Sequence, residues 1–386
     1  MLQRQQHIQS VYANFFLMST RGIKVVIMIE EKAKKDLKQC SHQIEHKNQR
    51  LYAVLFGCLL FLAPLIAMAI SLCIGRYSVP VSGAVRAIAQ LIVHKSIALA
   101  KDNIEAQIII GIRLPRILLG LLCGCALASA GAGLQALLSN PLVSPDTLGV
   151  ASGASFGAAL ALLADQRLLI VQLSALVFGI LALYLTYQAG KIKQQNSIVM
   201  LVLAGVVVSA LFQAMVSLIK YTADSEEKLP TITYWLLGSL NNATWKGLAV
   251  GAPIIVTGTV ILILARWKCN ILTLSDDEAK SMGIDLRKIR LLIIIASAAV
   301  IASSVSMCGQ IGWVGLVVPH VCRMLFGSDN RRVIPASASI GAVFMLLLDT
   351  VARSATQSEI PLSILTALVG APFFIILLKR TGGGWK

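Results

Sequence analysis

The feature that most constrains this chain is a series of long apolar stretches that carry almost no charge. Only 13% of the 386 residues are Asp, Glu, Lys or Arg, whereas 56% are hydrophobic. A soluble domain has about a quarter charged residues, so this chain lacks the polar surface of one. A helix needs about 20 apolar residues to cross a bilayer. The composition therefore excludes an ordinary soluble enzyme and a disordered protein, and it indicates a membrane protein.

About ten stretches are apolar enough to cross the membrane, so the predicted fold is an all-α polytopic membrane protein. We expect a cytoplasmic tail at residues 1–50, a transmembrane domain at 51–380 and a short cytoplasmic tail at 381–386. No cleavage-site pattern follows an apolar core in the first tail, so the first span is expected to be an uncleaved anchor, with Met18 and Met28 as alternative starts. The predicted spans are 51–74, 117–138, 148–164, 168–189, 198–219, 247–265, 291–308, 314–326, 334–351 and 361–378.

The chain is strongly basic, with 34 Lys and Arg against 18 Asp and Glu and a net charge of +16. It has no compact basic stripe with interleaved aromatic residues, so nucleic acid is not an expected partner. If the spans alternate strictly, about two thirds of the cations fall on the N-terminal side, and cytoplasmic loops of membrane proteins are enriched in Lys and Arg. We therefore expect both termini in the cytoplasm.

The sequence shows none of the patterns that carry catalysis or bind metals. Most of the eight cysteines lie in apolar runs, without Cys-x-x-Cys pairs or zinc-site spacing, so we expect no disulfide, structural metal or cofactor. No Gly-x-x-x-x-Gly-Lys-Ser/Thr loop is present to hold the phosphates of ATP. The chain is therefore not expected to be an enzyme, and any ATPase would be another polypeptide.

Small residues recur at helix-packing intervals in the first half of the chain. Gly120 and Gly124 are four residues apart, and Gly149, Gly153 and Gly157 continue the same spacing. In lipid, helices associate through close backbone approach at small residues. The spacing predicts tightly packed helices.

Arg113 and Arg116 flank Pro115 at the beginning of the second predicted span. Proline is common in a first helical turn, and residues three apart share a helix face. Each cation at a helix N-terminus opposes the helix dipole by about 0.3–1 kcal/mol. An acidic partner surface would offset this cost, and so would anchoring of the arginines at lipid headgroups. The residues alone leave both interpretations open.

Residues 273–285 connect two predicted spans on the expected cytoplasmic side. Ser275 and Glu278 form a capping-box pattern, Gly283 is typical of a helix end, and Asp285 is typical of the cap of a following helix. The pattern predicts an exposed helix that is too short to be stable alone. A partner or the membrane surface would then hold it, although the residues alone favour an ordinary capped loop.

Two further segments are predicted to interrupt regular helix. Asn140-Pro141-Leu142 is a turn pattern on the expected cytoplasmic side, where it could act as a gate. Residues 309–320 contain three glycines and a proline. That composition indicates broken helix, which a membrane protein tolerates only inside protein or along a cavity.

Ionisable side chains at membrane depth are the remaining candidates for a functional site. His320 and Arg323 follow the glycine-rich segment, and Asp349 lies in the next predicted span. Such residues are costly in a membrane and often mark substrate or ion paths. The residues favour a simpler interpretation, namely a structural His320 or an Arg323–Asp349 ion pair.

Two ordered sets of residues resemble the signatures of a known family, the FecCD-type permease subunits of ABC importers for iron-siderophores, haem and cobalamin. The resemblance extends from about residue 51 to residue 380. The first set is Arg113-Leu114-Pro115-Arg116, Gly131, Gln135, Asn140-Pro141-Leu142, Pro145, Leu148-Gly149 and Gly153-Ala154. The second set is Gly309, Gly315-Leu316, Pro319-His320, Arg323, Asp329-Asn330-Arg331, Asp349, Arg353, Glu359-Ile360-Pro361, Thr366-Ala367-Leu368 and Gly370-Ala371-Pro372.

The resemblance implies a multi-subunit machine in the bacterial inner membrane. It implies two permease subunits, expected as a homodimer in membrane lipids, with ATP-binding subunits below and a periplasmic or lipid-anchored substrate-binding protein above. It further implies that Arg113, Arg116 and Arg353 dock the binding protein. The implied coupling helix for the ATPase comprises Ser275, Asp276, Asp277, Glu278, Ala279, Met282 and Gly283, and the implied gates comprise Asn140, Pro141, Leu142, Asn196 and Ser197.

We therefore expect the membrane-spanning subunit of an ATP-driven importer of a metal chelate, with a ferric siderophore as its cargo. Haem, cobalamin and molybdate are alternative cargoes of the same machinery. A different alternative is a secondary transporter driven by an ion gradient, with His320, Arg323 and Asp349 as a relay. The cytoplasmic capped helix and the outward-facing arginines fit only the importer.

Overall fold

The computed structural model describes residues 55–75, 82–83, 104–190, 198–272, 274, 276–281, 283–356 and 358–381. Within these ranges all regular secondary structure is helical. The chain divides into a unit of residues 1–59 and a unit of residues 60–386. Every contact described below lies within the second unit.

We number twelve helices in the described part of the chain. They are α1 (Leu55–Cys73), α2 (Leu114–Leu137), α3 (Val150–Leu163), α4 (Leu168–Gly190), α5 (Ile198–Thr222), α6 (Lys228–Leu236), α7 (Trp245–Ile271), α8 (Asp276–Ser281), α9 (Leu286–Cys308), α10 (Val314–Phe326), α11 (Asn330–Ser354) and α12 (Leu362–Thr381). A short helix, Ile104–Gln107, and a π-helical stretch, Ile108–Arg113, precede α2, and a 3₁₀ turn, Pro145–Leu148, precedes α3.

The predicted all-α fold with about ten spans is confirmed. In the described ranges, every numbered helix except α6 and α8 coincides with a predicted span. Seven are long and apolar enough to cross a membrane, whereas the apolar stretches of α3, α10 and α12 are shorter. Helices α7, α9 and α11 begin before the predicted spans, because the side chains of Thr244, Asp285 and Asp329 each accept a backbone N–H in the first turn.

Two helical segments are not predicted by hydropathy. Helix α6 is only nine residues long, with Ile232 buried and Tyr234 exposed, so its apolar character is confined to part of its surface. The π-helical stretch Ile108–Arg113 runs directly into α2. Arg113 and Arg116 therefore do not lie at a free helix N-terminus, and the predicted helix-dipole cost does not apply to them.

Helices α2, α9 and α11 form the centre of the bundle. Helix α2 packs against α11, α9 and α10, and α3 packs along α4. The apolar side chains of α1, α4 and α5 are mostly exposed, as expected of helices that face lipid tails. Several of the polar residues described below, among them Arg116, Gln135 and Asp349, belong to the helices that are most enclosed by protein.

Small residues let the helices approach closely, as predicted. A Cβ atom at Gly124 of α2 would collide with the backbone carbonyl of Gly341 in α11. A Cβ atom at Gly157 of α3 would collide with the carbonyl of Ser174 in α4. The predicted tight packing through small residues is confirmed at both contacts.

Helix is interrupted between α9 and α10, as the glycine-rich segment predicts. Gly309 has a φ of 73°, a left-handed conformation that favours glycine. The N–H of Ser239 donates to the C=O of Cys308 at 2.8 Å, so the loop after α6 satisfies the open end of α9. The interruption ends before Pro319, which lies inside α10.

Candidate functional site

Polar side chains gather in two clusters, one at each end of α2. Arg116 and Gln135 mark the two ends; they are about 19 residues apart, which corresponds to roughly 28 Å along an α-helix. This separation is close to the thickness of the hydrocarbon core of a bilayer. The Arg116 cluster comprises Arg113, Arg116, Asp349, Arg353 and Glu359, and the Arg323 cluster comprises Gln135, Asn270, Arg323, Asp329 and Asn330.

Two carboxylates hold Arg116. Its Nη2 and Nε donate to Asp349 Oδ1 at 2.8 and 2.9 Å, and its Nη1 donates to Glu359 Oε1 at 2.9 Å. Asp349 is fully buried and Arg116 is only 6% exposed. Charge-assisted hydrogen bonds of this kind are about twice as strong as neutral ones, so the contact fixes the beginning of α2 against the end of α11.

The other two arginines of this cluster bind the end of α1. Arg353 Nη2 donates to Ser71 Oγ at 2.7 Å and to the Ser71 carbonyl, and Arg353 Nε lies 3.7 Å from Asp349 Oδ2. Arg113 Nη1 donates to the carbonyl of Leu72 at 2.5 Å. Both arginines are buried. The cluster therefore ties α1, α2, α11 and the segment before α12 together.

The structure corrects two interpretations of these residues. The acid that compensates Arg116 comes from within the chain, from Asp349 and Glu359, so neither a partner nor lipid headgroups are needed to explain its charge. The suggested Arg323–Asp349 pair is wrong, because Asp349 pairs with Arg116 and Arg353. Among its described members, the Arg116 cluster has three arginines and two carboxylates, which leaves one positive charge in excess within the cluster.

A cavity of about 700 Å³ opens beside the Arg116 cluster. Its walls come from α6, the loop after α6, the end of α9 and the segment before α12, with Tyr234, Asn241, Met307 and Glu359 among its lining residues. Arg116 Nη1 lies 3.5 Å from Asn241 Oδ1. The cavity wall and the ion cluster are thus one connected structure.

At the opposite end, Arg323 bonds to neutral amides. Its Nη2 donates to Gln135 Oε1 and its Nη1 to Asn330 Oδ1, both at 3.3 Å. Asn270 Nδ2 donates to Asp329 Oδ1 at 2.6 Å, and Asn270 Oδ1 accepts the N–H of Asn330 at 2.9 Å. The ends of α2, α7 and α10 and the beginning of α11 therefore meet in one hydrogen-bonded cluster.

Asp329 caps α11 within this cluster. Its carboxylate accepts the N–H of Arg331 at 2.9 Å as well as the bond from Asn270. Partial desolvation raises the pKa of the Asp329 carboxyl, but the donors from Asn270 and Arg331 outweigh it and hold the pKa below its ordinary value. The cap is therefore ionised at neutral pH.

The candidate gate turn follows α2 directly. Asn140 Oδ1 accepts the N–H of Leu142 at 2.9 Å, a local bond typical of an Asx turn. Asn140 and Leu142 are exposed and Pro141 is half-buried. Gln135 Nε2 donates to the carbonyl of Val143 at 3.3 Å, so the turn is held to the end of α2.

The predicted short helix between α7 and α9 is present as α8. Glu278 is exposed and Ala279 is buried, Gly283 has a φ of 72°, and the N–H of Ile284 closes the turn onto the carbonyl of Ala279 at 3.0 Å. The backbone of Asp276 and Asp277 lies in α8. These features agree with the predicted stop at Gly283.

The predicted cap at Asp285 is also present. Asp285 Oδ1 accepts the N–H groups of Arg287 and Lys288 at 3.0 and 3.4 Å. Desolvation opposes the shift, but these backbone donors hold the pKa of the Asp285 carboxyl below its ordinary value. Helix α9 therefore starts at a charged, exposed cap.

Some predicted site residues are not brought together. His320 is buried in α10, one turn from Arg323, whereas Asp349 lies about 28 Å further along α11 than Asn330, the partner of Arg323. The three residues of the suggested ion relay are therefore not contiguous. Ser275, Met282, Asn196 and Ser197 lie outside the described residues.

The sequence did not single out Ser71, Glu359, Asn270 or Asn330 as functional residues. Each is a polar residue at or near the end of an apolar helix, and Asn330 and Glu359 also belong to the family resemblance; these two signals could have found them. The described cysteines are free, and the described residues contain no group of His, Cys, Asp or Glu that could hold a metal ion.

Comparisons with known proteins agree with this architecture. The MolB protein of Haemophilus influenzae, a molybdate import system permease, is 43% identical over 333 residues, which cover 85% of this chain and 97% of the relative. A probable iron chelatin transport system permease of Helicobacter pylori is 39% identical over 277 residues, which cover 72% and 83%. A solved ABC transporter described as of the metal-chelate type, in an inward-facing conformation, matches with a TM-score of 0.75 and 39% identity over 85% of this chain and 99% of that chain.

The family comparison covers nearly the whole bundle. The model of the FecCD transport family matches residues 61–380. This range contains both polar clusters, the turn after α2, and α8. The chain belongs to the FecCD transport family.

Proposed function

We propose that this chain is the membrane-spanning permease subunit of an ATP-driven importer in the bacterial inner membrane. The observation that carries the proposal is the match to the FecCD transport family over residues 61–380. Cargo would pass through the bundle without being changed, because the described residues show no catalytic arrangement. ATP binding and hydrolysis by a partner would shift the helices between outward and inward openings.

The ATP-binding subunit would contact α8 at the Arg323 end, on the cytoplasmic side. The excess of Lys and Arg in the loops at this side supports that orientation, with both termini in the cytoplasm. An isolated helix of six residues is unstable in water, so a partner surface would hold it. The contact residues would be Ser275, Asp276, Asp277, Glu278, Ala279, Met282 and Gly283.

The substrate-binding protein would dock at the Arg116 end. Because Arg113, Arg116 and Arg353 are 5–6% exposed and already bonded within the chain, we expect docking to depend on the one excess positive charge of the cluster. An acidic surface above it would gain from this charge. The cavity of about 700 Å³ beside Glu359 would receive the released cargo.

A second copy of the permease would complete the path. The turn Asn140–Leu142, together with Asn196 and Ser197, would form gates at the cytoplasmic mouth. Exposed apolar residues on α5 and α12, such as Val207 and Leu368, would contact either the second copy or membrane lipid.

Two cargoes are supported, and we place molybdate ahead of a ferric siderophore. The molybdate permease of Haemophilus influenzae shares 43% identity and almost its whole length with this chain. The Helicobacter pylori relative, named for iron chelatin, shares 39% over a shorter stretch. A ferric siderophore, the cargo expected from the sequence, remains the second candidate.

The test is uptake by proteoliposomes that hold this chain, its ATP-binding subunit and its binding protein. Radiolabelled molybdate and a radiolabelled ferric siderophore would be offered separately, with ATP inside or absent. We expect ATP-dependent accumulation of molybdate and none without the ATP-binding subunit. Uptake by the permease alone, driven by a proton or sodium gradient, would overturn the importer proposal in favour of the secondary transporter.

A further inference from the structure

A continuous series of side-chain hydrogen bonds joins the end of α7 to the turn after α2. It begins at Asn270, in the last turn of α7, six residues before α8 begins at Asp276. The Asn270 amide both donates to Asp329, at 2.6 Å, and accepts from the N–H of Asn330, at 2.9 Å. A displacement at the end of α7 therefore acts directly on the beginning of α11.

Arg323 is the middle of the series. It bridges Asn330 at the beginning of α11 and Gln135 at the end of α2, two residues that are far apart in the chain. Gln135 then donates to the carbonyls of Val143 and Leu316 at 3.3 and 3.4 Å. The series thus ends on the backbone directly after Leu142.

Two properties suit Arg323 to transmit movement. First, its acceptors among the described residues, Gln135 and Asn330, are uncharged amides at 3.3 Å, and no described carboxylate lies within 4.0 Å of it. Second, its Nε is buried without a hydrogen bond. Exchange of one amide acceptor for another therefore requires no separation of opposite charges.

Close packing at the Arg323 end also links the movement of α10 to that of the segment after the turn. A Cβ atom at Gly131 of α2 would collide with the backbone of Gly315 in α10, and one at Gly315 would collide with the ring of Pro145. The ring of Pro145, in the segment after the turn, is thus packed against the backbone of α10, the helix that carries Arg323. A shift of α10 must move the 140–148 segment with it, because packed interiors cannot deform continuously.

We propose that Arg323 is a positioning residue that couples the ATPase-facing helix α8 to the gate turn Asn140–Leu142. The series Asn270–Asn330–Arg323–Gln135–Val143 transmits the displacement. This inference rests on the proposed function, because it gives α8 an ATP-binding partner and the turn a gating role. It assigns Arg323 no contact with cargo or nucleotide.

The first test compares uptake with ATP hydrolysis in proteoliposomes of the full importer, with radiolabelled molybdate as the probe. In Arg323→Met, the ratio of molybdate taken up to ATP hydrolysed should fall about tenfold or more, while ATP hydrolysis stays within about twofold. Arg323→Lys should retain part of the ratio, because an ammonium reaches one of the two amides. Gln135→Leu should lower the uptake ratio as much as Arg323→Met does. In the double variant the ratio should fall no further than in either single variant.

Arg332→Met is the matched control, since it removes an exposed cation one turn into α11 that takes no part in the series. Its uptake ratio should equal that of the wild type. If Arg323→Met also keeps the wild-type ratio, the coupling role is refuted while the importer function stands. If the wild-type complex takes up neither molybdate nor ferric siderophore, the proposed function fails and the coupling role with it.

A second test follows the movement itself. Spin labels on Leu142 and Ser281, both exposed, report the distance between the gate turn and α8 in the nucleotide-free and ATP-bound complexes. The distance distribution should change with ATP in the wild type and in Arg332→Met. In Arg323→Met, the distance between a label on Ser281 and a label on the ATP-binding subunit should still change when ATP binds. The distance between Leu142 and Ser281 should no longer change. An unchanged response of Leu142 in this variant would refute the coupling role.

Discussion

At one end of α2, Arg116 lies between two carboxylates, whereas at the other end the described partners of Arg323 are neutral amide oxygens. The first arrangement uses contacts of 2.8–2.9 Å to Asp349 and Glu359. The second uses contacts of 3.3 Å to Gln135 and Asn330. A buried ion pair is costly to break on one side, since the remaining charge is stranded. A hydrogen bond from a charged donor to a neutral acceptor contributes about 1.5–3 kcal/mol net, and exchanging one neutral acceptor for another leaves no opposite charge stranded.

The difference suggests that the two ends of α2 have different roles. The Arg116 end holds α1, α2 and α11 in a fixed arrangement around the cavity. The Arg323 end joins α2, α7, α10 and α11 through bonds that can rearrange at little cost. In an importer, the end that receives cargo would then be held rigid, and the end that meets the ATPase would adjust.

The largest predicted effect is on stability, from Arg116→Met. It leaves the fully buried Asp349 with only Arg353, at 3.7 Å, as a partner, so we expect a loss of about 3–5 kcal/mol in the free energy of unfolding. Arg323→Met should cost about 1–3 kcal/mol, the cost of unsatisfied buried amides. Unfolding in detergent with increasing SDS would measure both.

The double variant Arg116→Met/Asp349→Leu serves as the control. It removes the stranded carboxylate and should recover part of the loss of Arg116→Met. If Arg116→Met and Arg323→Met lowered the free energy of unfolding equally, the two ends of α2 would not differ in the way proposed.

How far the sequence predicts these sites depends on the range of the interactions. The cap at Asp285 and the stop at Gly283 follow from neighbouring residues and are present in the structure. The bond of Arg116 to Asp349 joins residues 233 positions apart. Hydropathy locates both helices, but it does not say which ends meet or which face points inward. From the sequence, an acidic partner surface and lipid headgroups were both open as partners of Arg116, and an acid within the chain could not be identified.

The same limit explains the Arg323 end. Gln135 was part of the family resemblance, but its link to Arg323 crosses 188 positions. Asn270 carries no local signal beyond its place at the end of an apolar stretch. Tight packing, in contrast, was predictable, because the spacing of small residues on one helix already shows which face can approach another backbone.

The second prediction concerns packing at the Arg323 end. Gly131→Ala places a methyl group against the carbonyl of Gly315, and overpacking of this kind costs about 1–3 kcal/mol. Gly312→Ala is the matched control, because a Cβ there meets no atom within 4 Å; it should leave the free energy of unfolding within about 0.5 kcal/mol of the wild type. If the two variants behave alike in SDS unfolding, the close approach of α2 and α10 does not stabilise this end.

The smallest predicted effect is a pH dependence at Asp329. Its carboxylate has a lowered pKa because Asn270 and Arg331 donate to it. A carboxyl with a lowered folded pKa adds stability above its unfolded pKa of about 3.9, and loses it as pH falls through the folded value. Because Asp329 is exposed, we expect its charge to contribute less than about 1 kcal/mol to the free energy of unfolding.

The variant Asp329→Asn isolates this contribution, since the amide keeps an acceptor oxygen but cannot ionise. At pH 6 the wild type should unfold at a higher temperature than the variant, and the gap should narrow as the pH falls below about 3.9, whereas the other carboxyls titrate alike in both proteins. A gap that stays constant would mean that the charge of Asp329 does not strengthen its bond to Asn270. The adjustable end would then depend on packing alone, and the contrast with the ion-paired Arg116 end would be sharper still.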